Sequence, residues 1–183
     1  MMDLKLTYGG GEWRGIEGYS DADGSTLDHR RAISGFVVLV DGGAVSWSSK
    51  KQELVTLSTV EAEHVGTTHA AKEIIWFRRL IKEIFRPLLF PTTLCLDNQS
   101  AIVLANSENQ FHARTKLIDI RYHFVKFCIQ NSSIDLIYCP TEDMIADIFT
   151  KSLPVIKYFT HDLGLDAPLY IFVCFPFVYY YVQ

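Results

Sequence analysis

Residues 33–48 read Ile33-Ser34-Gly35-Phe36-Val37-Val38-Leu39-Val40, then Asp41-Gly42-Gly43, then Ala44-Val45-Ser46-Trp47-Ser48. Two runs rich in β-branched and aromatic residues, parted by a short glycine-containing segment, predict a hairpin. Glycine supplies the positive φ that a tight strand connection demands. A further strand over 16–21 turns the hairpin into a three-stranded antiparallel meander. Downstream, Ser58 and Glu61 form an S-x-x-E capping box, and Ala62, Val65, Ala70, Trp76/Phe77, Leu80/Ile81 and Ile84 recur at helical spacing until Pro87 stops the run. The spacing predicts one long helix, with Trp47 and Trp76 in the core. Residues 92–97 then read as a strand, Asn98-Gln99-Ser100 opens a helix through Ala105, a third helix covers 115–130, a fifth strand covers 134–139, and a last helix covers 142–153. The order βββαβααβα implies an α/β fold: a mixed five-stranded sheet, three strands antiparallel and then parallel ones, with helices on both faces.

Composition sets the outer limits. The chain has 183 residues, 49% apolar and 21% charged, which suits one domain with a real core and excludes a wholly disordered protein. A net charge of −4 argues against a surface that coats nucleic acid through overall positive charge, while leaving room for local basic patches. Cys95, Cys128, Cys139 and Cys174 are scattered singly, so neither a zinc knuckle nor a disulfide framework is expected. The N-terminus lacks a charged region followed by a continuous apolar stretch, and the expected location is intracellular, cytoplasmic or nuclear, not secreted. Composition changes after Asp166: residues 167–183 carry no charge and 14 of the 17 are apolar. Interrupted by Pro176, the run falls short of the roughly 18 residues of a membrane span, so no membrane partner is expected. The expected partition is a domain over 13–165 and an apolar extension over 166–183 outside it.

The acids fall in telling places. Asp21 ends the first strand, Asp97 ends the fourth, Glu63 lies in the first turns of the long helix, and Asp147 lies in the final helical segment. Sites in mixed sheets gather at strand carboxyl ends, so Asp21 and Asp97 become partners if strands one and four are parallel neighbours. Carboxylates held that close repel each other unless a cation neutralises them, and hard oxygen ligands suit Mg²⁺ or Mn²⁺. At about 100° per residue, Glu63 aligns with Ala70 and Phe77 at the edge of the sheet-facing stripe, whereas Glu61 points elsewhere and serves the cap. A solvated acid favoured by the helix dipole is the plainer reading of Glu63 taken alone. His64 and His69, five apart, lie about 140° around the helix and do not make the i, i+4 pair of a zinc site.

Several segments together resemble one family. They are Gly18-Tyr19-Ser20-Asp21-Ala22-Asp23, Ser34-Gly35-Phe36, Val45-Ser46-Trp47-Ser48-Ser49-Lys50-Lys51-Gln52, Leu57-Ser58-Thr59-Val60-Glu61-Ala62-Glu63, and Ala70-Ala71-Lys72-Glu73. Further along come Leu96-Asp97-Asn98-Gln99-Ser100-Ala101, His112-Ala113-Arg114-Thr115-Lys116, Ile118-Asp119-Ile120-Arg121-Tyr122-His123-Phe124, Pro140-Thr141-Glu142-Asp143 and Ala146-Asp147-Ile148-Phe149-Thr150-Lys151. In collinear order over about 4–165 they resemble the ribonuclease H domain of copia-type (Ty1/copia) retrotransposon Pol polyproteins. The resemblance implies a ribonuclease H-like fold and a catalytic and metal-binding quartet of Asp21, Glu63, Asp97 and Asp147. It implies two Mg²⁺ ions, with Mn²⁺ as substitute, and hydrolysis of the RNA strand of an RNA/DNA hybrid by in-line displacement. It also implies a reverse transcriptase domain of the same polyprotein as partner, residues 1–12 being the remnant of that connection.

The sequence departs from the family pattern in places. The Trp that usually follows the SDAD segment is missing, Gly24-Ser25-Thr26 standing there one residue short, and His64 replaces the common Tyr. These departures, with no polymerase domain in the chain, set up the alternative of a catalytically inactive retroelement remnant that at most binds nucleic acid. An integrase-type nuclease fits less well, because its acids are placed differently. For the hybrid, Lys50 and Lys51 before the long helix, Asn98 and Gln99 beside Asp97, and His112, Arg114 and Lys116 are the expected contacts. The basic run Arg78, Arg79, Lys82 and Arg86 reads as a solvated helix end favoured by the C-terminal dipole.

Overall fold

The computed structural model describes residues 13, 15–24, 31–85, 87–107 and 116–151, the side chains of 116 and 117 excepted. The expected boundary segments 1–12 and 166–183 lie outside the described residues.

The meander forms as its sequence requires. Strands β1 (Ile16–Asp23), β2 (Ile33–Val40) and β3 (Gly43–Lys51) pair antiparallel in sequence. Asp41 (φ 54°) and Gly42 (φ 80°) both sit in the left-handed region, the two-residue turn whose twist matches the flanking strands. Helix α1 (Thr59–Ile84) follows, and the Ser58 hydroxyl accepts from Glu61 N at 3.1 Å. Glu61 answers one residue further back than a standard capping box, Oε2 accepting from Leu57 N at 2.7 Å. Strand β4 (Thr92–Leu96) returns parallel to β1, helices α2 (Gln99–Asn106) and α3 (Lys116–Gln130) follow, and β5 (Ile134–Tyr138) adds parallel to β4. The sheet order is β3-β2-β1-β4-β5, with β1 at the centre.

Alternation along β1 divides the two faces. Gly18 faces Ile74 of α1 and Leu94 of β4, while Tyr19 packs on the other side with Phe149. The main core fills the first face, joining Val38, Ile74, Leu94, Leu96, Ala105, Val125 and Ile134, and α1, α2 and α3 each contribute to it. The second face is covered by the 3₁₀ turn at Ile145–Phe149, which a shorter, exposed one at Thr141–Asp143 precedes.

That cover corrects the expectation of a regular final helix over 142–153. Met144 is extended (φ −76°, ψ 98°) and interrupts the ladder, after which tight i→i+3 bonds, Asp147 N to Met144 O and Thr150 N to Asp147 O, hold the chain. Gly35 lets this turn approach the sheet: a Cβ there would lie 2.7 Å from Phe149 Cβ and 2.8 Å from Thr150 Cγ2. Both tryptophans expected in the core are instead exposed, Trp47 at 56% and Trp76 at 54%. Trp47 lies opposite Val37 on the second face, at a position that stays exposed, and Trp76 lies off the α1 stripe, stacked edge-on against Phe77. Arg78 departs from a solvated reading too. Its guanidinium donates to Phe90 O (2.9 Å), Thr92 Oγ1 (2.7 Å) and Leu88 O (3.4 Å), clamping the connection into β4 onto α1.

Candidate active site

The parallel register of β1 and β4 pairs Ser20 with Leu96, and the next residues along the two strands are Asp21 and Asp97. The two carboxylates therefore leave neighbouring strand ends side by side. Asp147 comes from the 3₁₀ turn on the second face. One carboxylate oxygen from each of Asp21, Asp97 and Asp147 lies within 4.8 Å of the others. Asp21 and Asp147 are buried and Asp97 is half-buried.

Glu63 stands one step back. It is 5% exposed at the start of α1, outside the close triad, yet it lines the same open cleft of about 870 Å³ as Asp21, Asp97, Asn98, Gln99 and Lys151. Its Oε2 is buried with no hydrogen-bond partner. Burial first, then the charges of Asp21 and Asp97, push the Glu63 carboxyl up to about 9, against a hydrogen bond from the Ala22 backbone. Burial likewise pushes Asp21 up to about 6, opposed by the Thr150 hydroxyl and the Lys151 ammonium. Each group resists carrying its negative charge without a nearby cation.

Two residues that sequence reasoning missed complete the geometry. Thr150 Oγ1 donates to Asp21 Oδ2, and Lys151 Nζ lies 2.7 Å from Asp147 Oδ1 and 3.7 Å from Asp21 Oδ2. Both belong to the quoted segment ending at Lys151, but only the 3₁₀ geometry shows that they turn back onto the acids. Thr141 Oγ1, at the other end of this region, donates to Asp97 Oδ2 at 3.1 Å. Three carboxylates with a buried orphan oxygen behind them form a hard, all-oxygen donor set, which fits a divalent cation of the Mg²⁺, Ca²⁺ or Mn²⁺ type.

The expected nucleic-acid residues scatter. Asn98 lines the cleft and caps α2, its Oδ1 accepting from Ala101 N at 3.1 Å, and Gln99 is exposed beside it. Lys50 and Lys51 end β3, and the Lys50 ammonium pairs with Glu53 at 3.1 Å. His112 and Arg114 lie outside the described residues, and Lys116 is placed only as the first backbone residue of α3. His64 is buried against Tyr122, ring centroids 5.5 Å apart, and burial lowers its pKa to about 4, so it is a neutral packing residue. His123 is a surface residue 3.5 Å from Asp119 one turn earlier.

No family model matches the chain. Among curated proteins, it is 38% identical over 144 residues to the retrovirus-related Pol polyprotein from transposon TNT 1-94 of Nicotiana tabacum, covering 78% of this chain and 11% of the relative. It is 32% identical over 154 residues to the Pol polyprotein from transposon RE2 of Arabidopsis thaliana, covering 82% of this chain and 10% of that protein. The chain is a homologue of transposon Pol polyproteins. It spans about a tenth of the length of these relatives. Among solved structures, LC11-RNase H1 in complex with an RNA/DNA hybrid superposes with a TM-score of 0.53 at 12% identity, over 74% of this chain and 93% of that one. At that identity the likeness carries the fold alone, and the fold of this Pol homologue is that of ribonuclease H.

Proposed function

We propose that this chain is a metal-dependent endonuclease of the ribonuclease H type that hydrolyses the RNA strand of RNA/DNA hybrids. The observation that carries this reading is the meeting of Asp21, Asp97 and Asp147 oxygens within 4.8 Å at the ends of two parallel strands, in an open cleft. Asp21, Asp97 and Asp147 would gather Mg²⁺, or Mn²⁺ in its place, and Glu63 would complete the site from behind. Two ions bound there would supply an activated water and charge for the departing oxygen. The protein's own part is electrostatic and positional. Thr150 and Thr141 hydroxyls fix one oxygen each of Asp21 and Asp97, so the second oxygen of each is not engaged by these hydroxyls. The amide NH₂ of Asn98, whose oxygen is committed to the helix cap, together with Gln99, Lys50, Lys51, His112, Arg114 and Lys116, would meet the hybrid backbone. Recognition of that kind reads phosphates, 2′-hydroxyls and groove shape more than base sequence.

The same reading makes the functional unit the domain over 13–165, acting inside the cell beside a reverse transcriptase domain of a copia-type polyprotein. The test is cleavage of a 5′-labelled RNA/DNA hybrid in Mg²⁺ or Mn²⁺. Wild-type protein is expected to cut the RNA strand and Asp97→Asn to lose at least about a hundredfold in rate, a loss typical of removing a key electrostatic group. A wild-type protein that leaves the hybrid intact in both metals would point to the inactive remnant.

A further inference from the structure

Lys151 is anchored to Asp147 twice. Its backbone N–H donates to Asp147 O at 2.9 Å, and its Nζ reaches Asp147 Oδ1 at 2.7 Å. From there the ammonium also faces Asp21 Oδ2 at 3.7 Å, the same oxygen that accepts from Thr150. The side chain is 30% exposed where it lines the cleft, whereas the Asp21 side chain it faces is only 2% exposed. One oxygen of each of two buried acids is thus already engaged by a cation the chain itself carries. Burial works against that ammonium, but the hydrogen bond to Asp147 and the charges of Asp21, Asp147 and Asp97 hold its pKa above the ordinary lysine value. It stays charged throughout the neutral range.

We propose that Lys151 is a positioning residue acting as a tethered counter-cation: it holds Asp21 and Asp147 together while no divalent ion is bound, and yields the Asp147 oxygen when one arrives. Metal affinity is then set by competition with the ammonium. The inference rests on the metal-site reading above but concerns a residue outside the acid set. Its logic is Coulombic. Three carboxylates crowded within a few ångströms repel, and an internal cation relieves that repulsion without a metal. The same charge opposes an incoming divalent ion, so removing it weakens the metal-free fold and strengthens metal binding. A residue with a merely structural role would weaken both.

The test uses the full chain. Mn²⁺ is titrated calorimetrically into wild type, Lys151→Met and Lys151→Arg, and melting is followed in EDTA and at saturating Mn²⁺. Lys151→Met is expected to bind Mn²⁺ about tenfold tighter, the effect of deleting one nearby like charge at partial solvent screening. It melts earlier than wild type in EDTA but not in Mn²⁺, while Lys151→Arg keeps the wild-type affinity. In wild-type protein, acetylation of Lys151 by an N-hydroxysuccinimide ester, read by mass spectrometry against exposed Lys82, is expected to rise several-fold when Mg²⁺ is added. This second arm decides the matter if Lys151→Met does not fold. Mn²⁺ binding that is unchanged or weaker in Lys151→Met, or acetylation indifferent to Mg²⁺, overturns the inference alone. Absence of Mn²⁺ binding in wild type and variant alike overturns the metal reading with it.

Discussion

Thr150 donates its hydroxyl to Asp21 Oδ2, joining residues 129 positions apart in sequence across the second face of the sheet. Asp21 is buried, so this hydrogen bond stands where water otherwise would. Replacing the hydroxyl by a methyl in Thr150→Val leaves the carboxylate with one donor fewer. Hydrogen bonds to charged groups contribute about 1.5–3 kcal/mol. Urea unfolding at pH 7 in EDTA is expected to show a loss of that order, with Thr150→Ser close to wild type. Equal stability of Thr150→Val and wild type would refute the role.

The buried carboxyls also set a pH dependence. Glu63 (about 9) and Asp21 (about 6) both titrate above their ordinary values, so between the unfolded and folded pKa the folded state binds the extra proton. Stability from these groups is full below about pH 4 and is lost as pH rises through 6 for Asp21 and 9 for Glu63. Glu63→Gln removes the larger part. In EDTA, Glu63→Gln should match wild type near pH 5 and exceed it by on the order of 2–4 kcal/mol at pH 8. Denaturant titrations at several pH values measure the difference, and a gap that does not widen with pH counts against the assignment.

Gly35 is where the sheet and the 3₁₀ turn meet most closely. Gly35→Ala puts a methyl 2.7 Å from Phe149 Cβ and pushes the turn that carries Asp147, Thr150 and Lys151. Overpacking of this kind costs about 1–3 kcal/mol. Thermal melts should show the destabilisation together with weaker Mn²⁺ binding, while Trp47→Ala, at an exposed position of β3, should change either by little.

The Arg78 clamp separates two adjacent arginines. Arg78→Ala frees the carbonyls of Leu88 and Phe90 and the Thr92 hydroxyl, whereas Arg79 is exposed. The expected loss is about 1–3 kcal/mol for Arg78→Ala and under about 0.5 for Arg79→Ala. Lysine at 78 restores only part, because a single ammonium cannot reproduce the forked guanidinium geometry. Chemical denaturation of the three variants checks the ranking.

Local rules made most of the fold legible. Asp41-Gly42 carries its own turn chemistry, Ser58 and Asn98 announce their helices by capping, and once β1 and β4 pair in parallel, Asp21 falls beside Asp97. The misreadings share a cause: each was decided by contacts distant in sequence. Trp47 and Trp76 are large and apolar and so read as core, yet Trp47 sits opposite Val37 at a position of the second face that stays exposed, and the buried stripe of α1 is filled by Ile74 instead of Trp76. Arg78 reads as a surface charge until the loop before β4 folds over it. A helix over 142–153 follows from composition, but Met144 breaks it, and packing against Gly35 rather than propensity sets the turn. Thr150 and Lys151 reach the acids only through that turn, so their roles were invisible at the level of spacing.

The central position of β1 bears on the order of assembly. Its partner on one side, β2, begins only ten positions after β1 ends, so the meander can form from local pairing. Its partner on the other side, β4, arrives only after the whole of α1, and the turn bearing Asp147 arrives later still. Contacts that close long loops are slow to form. A chain emerging from the ribosome can therefore acquire its meander and first helix, with Asp21 and Glu63, before Asp97 and Asp147 have joined them. The site is complete only once the turn bearing Asp147 has docked onto β1, far back along the chain.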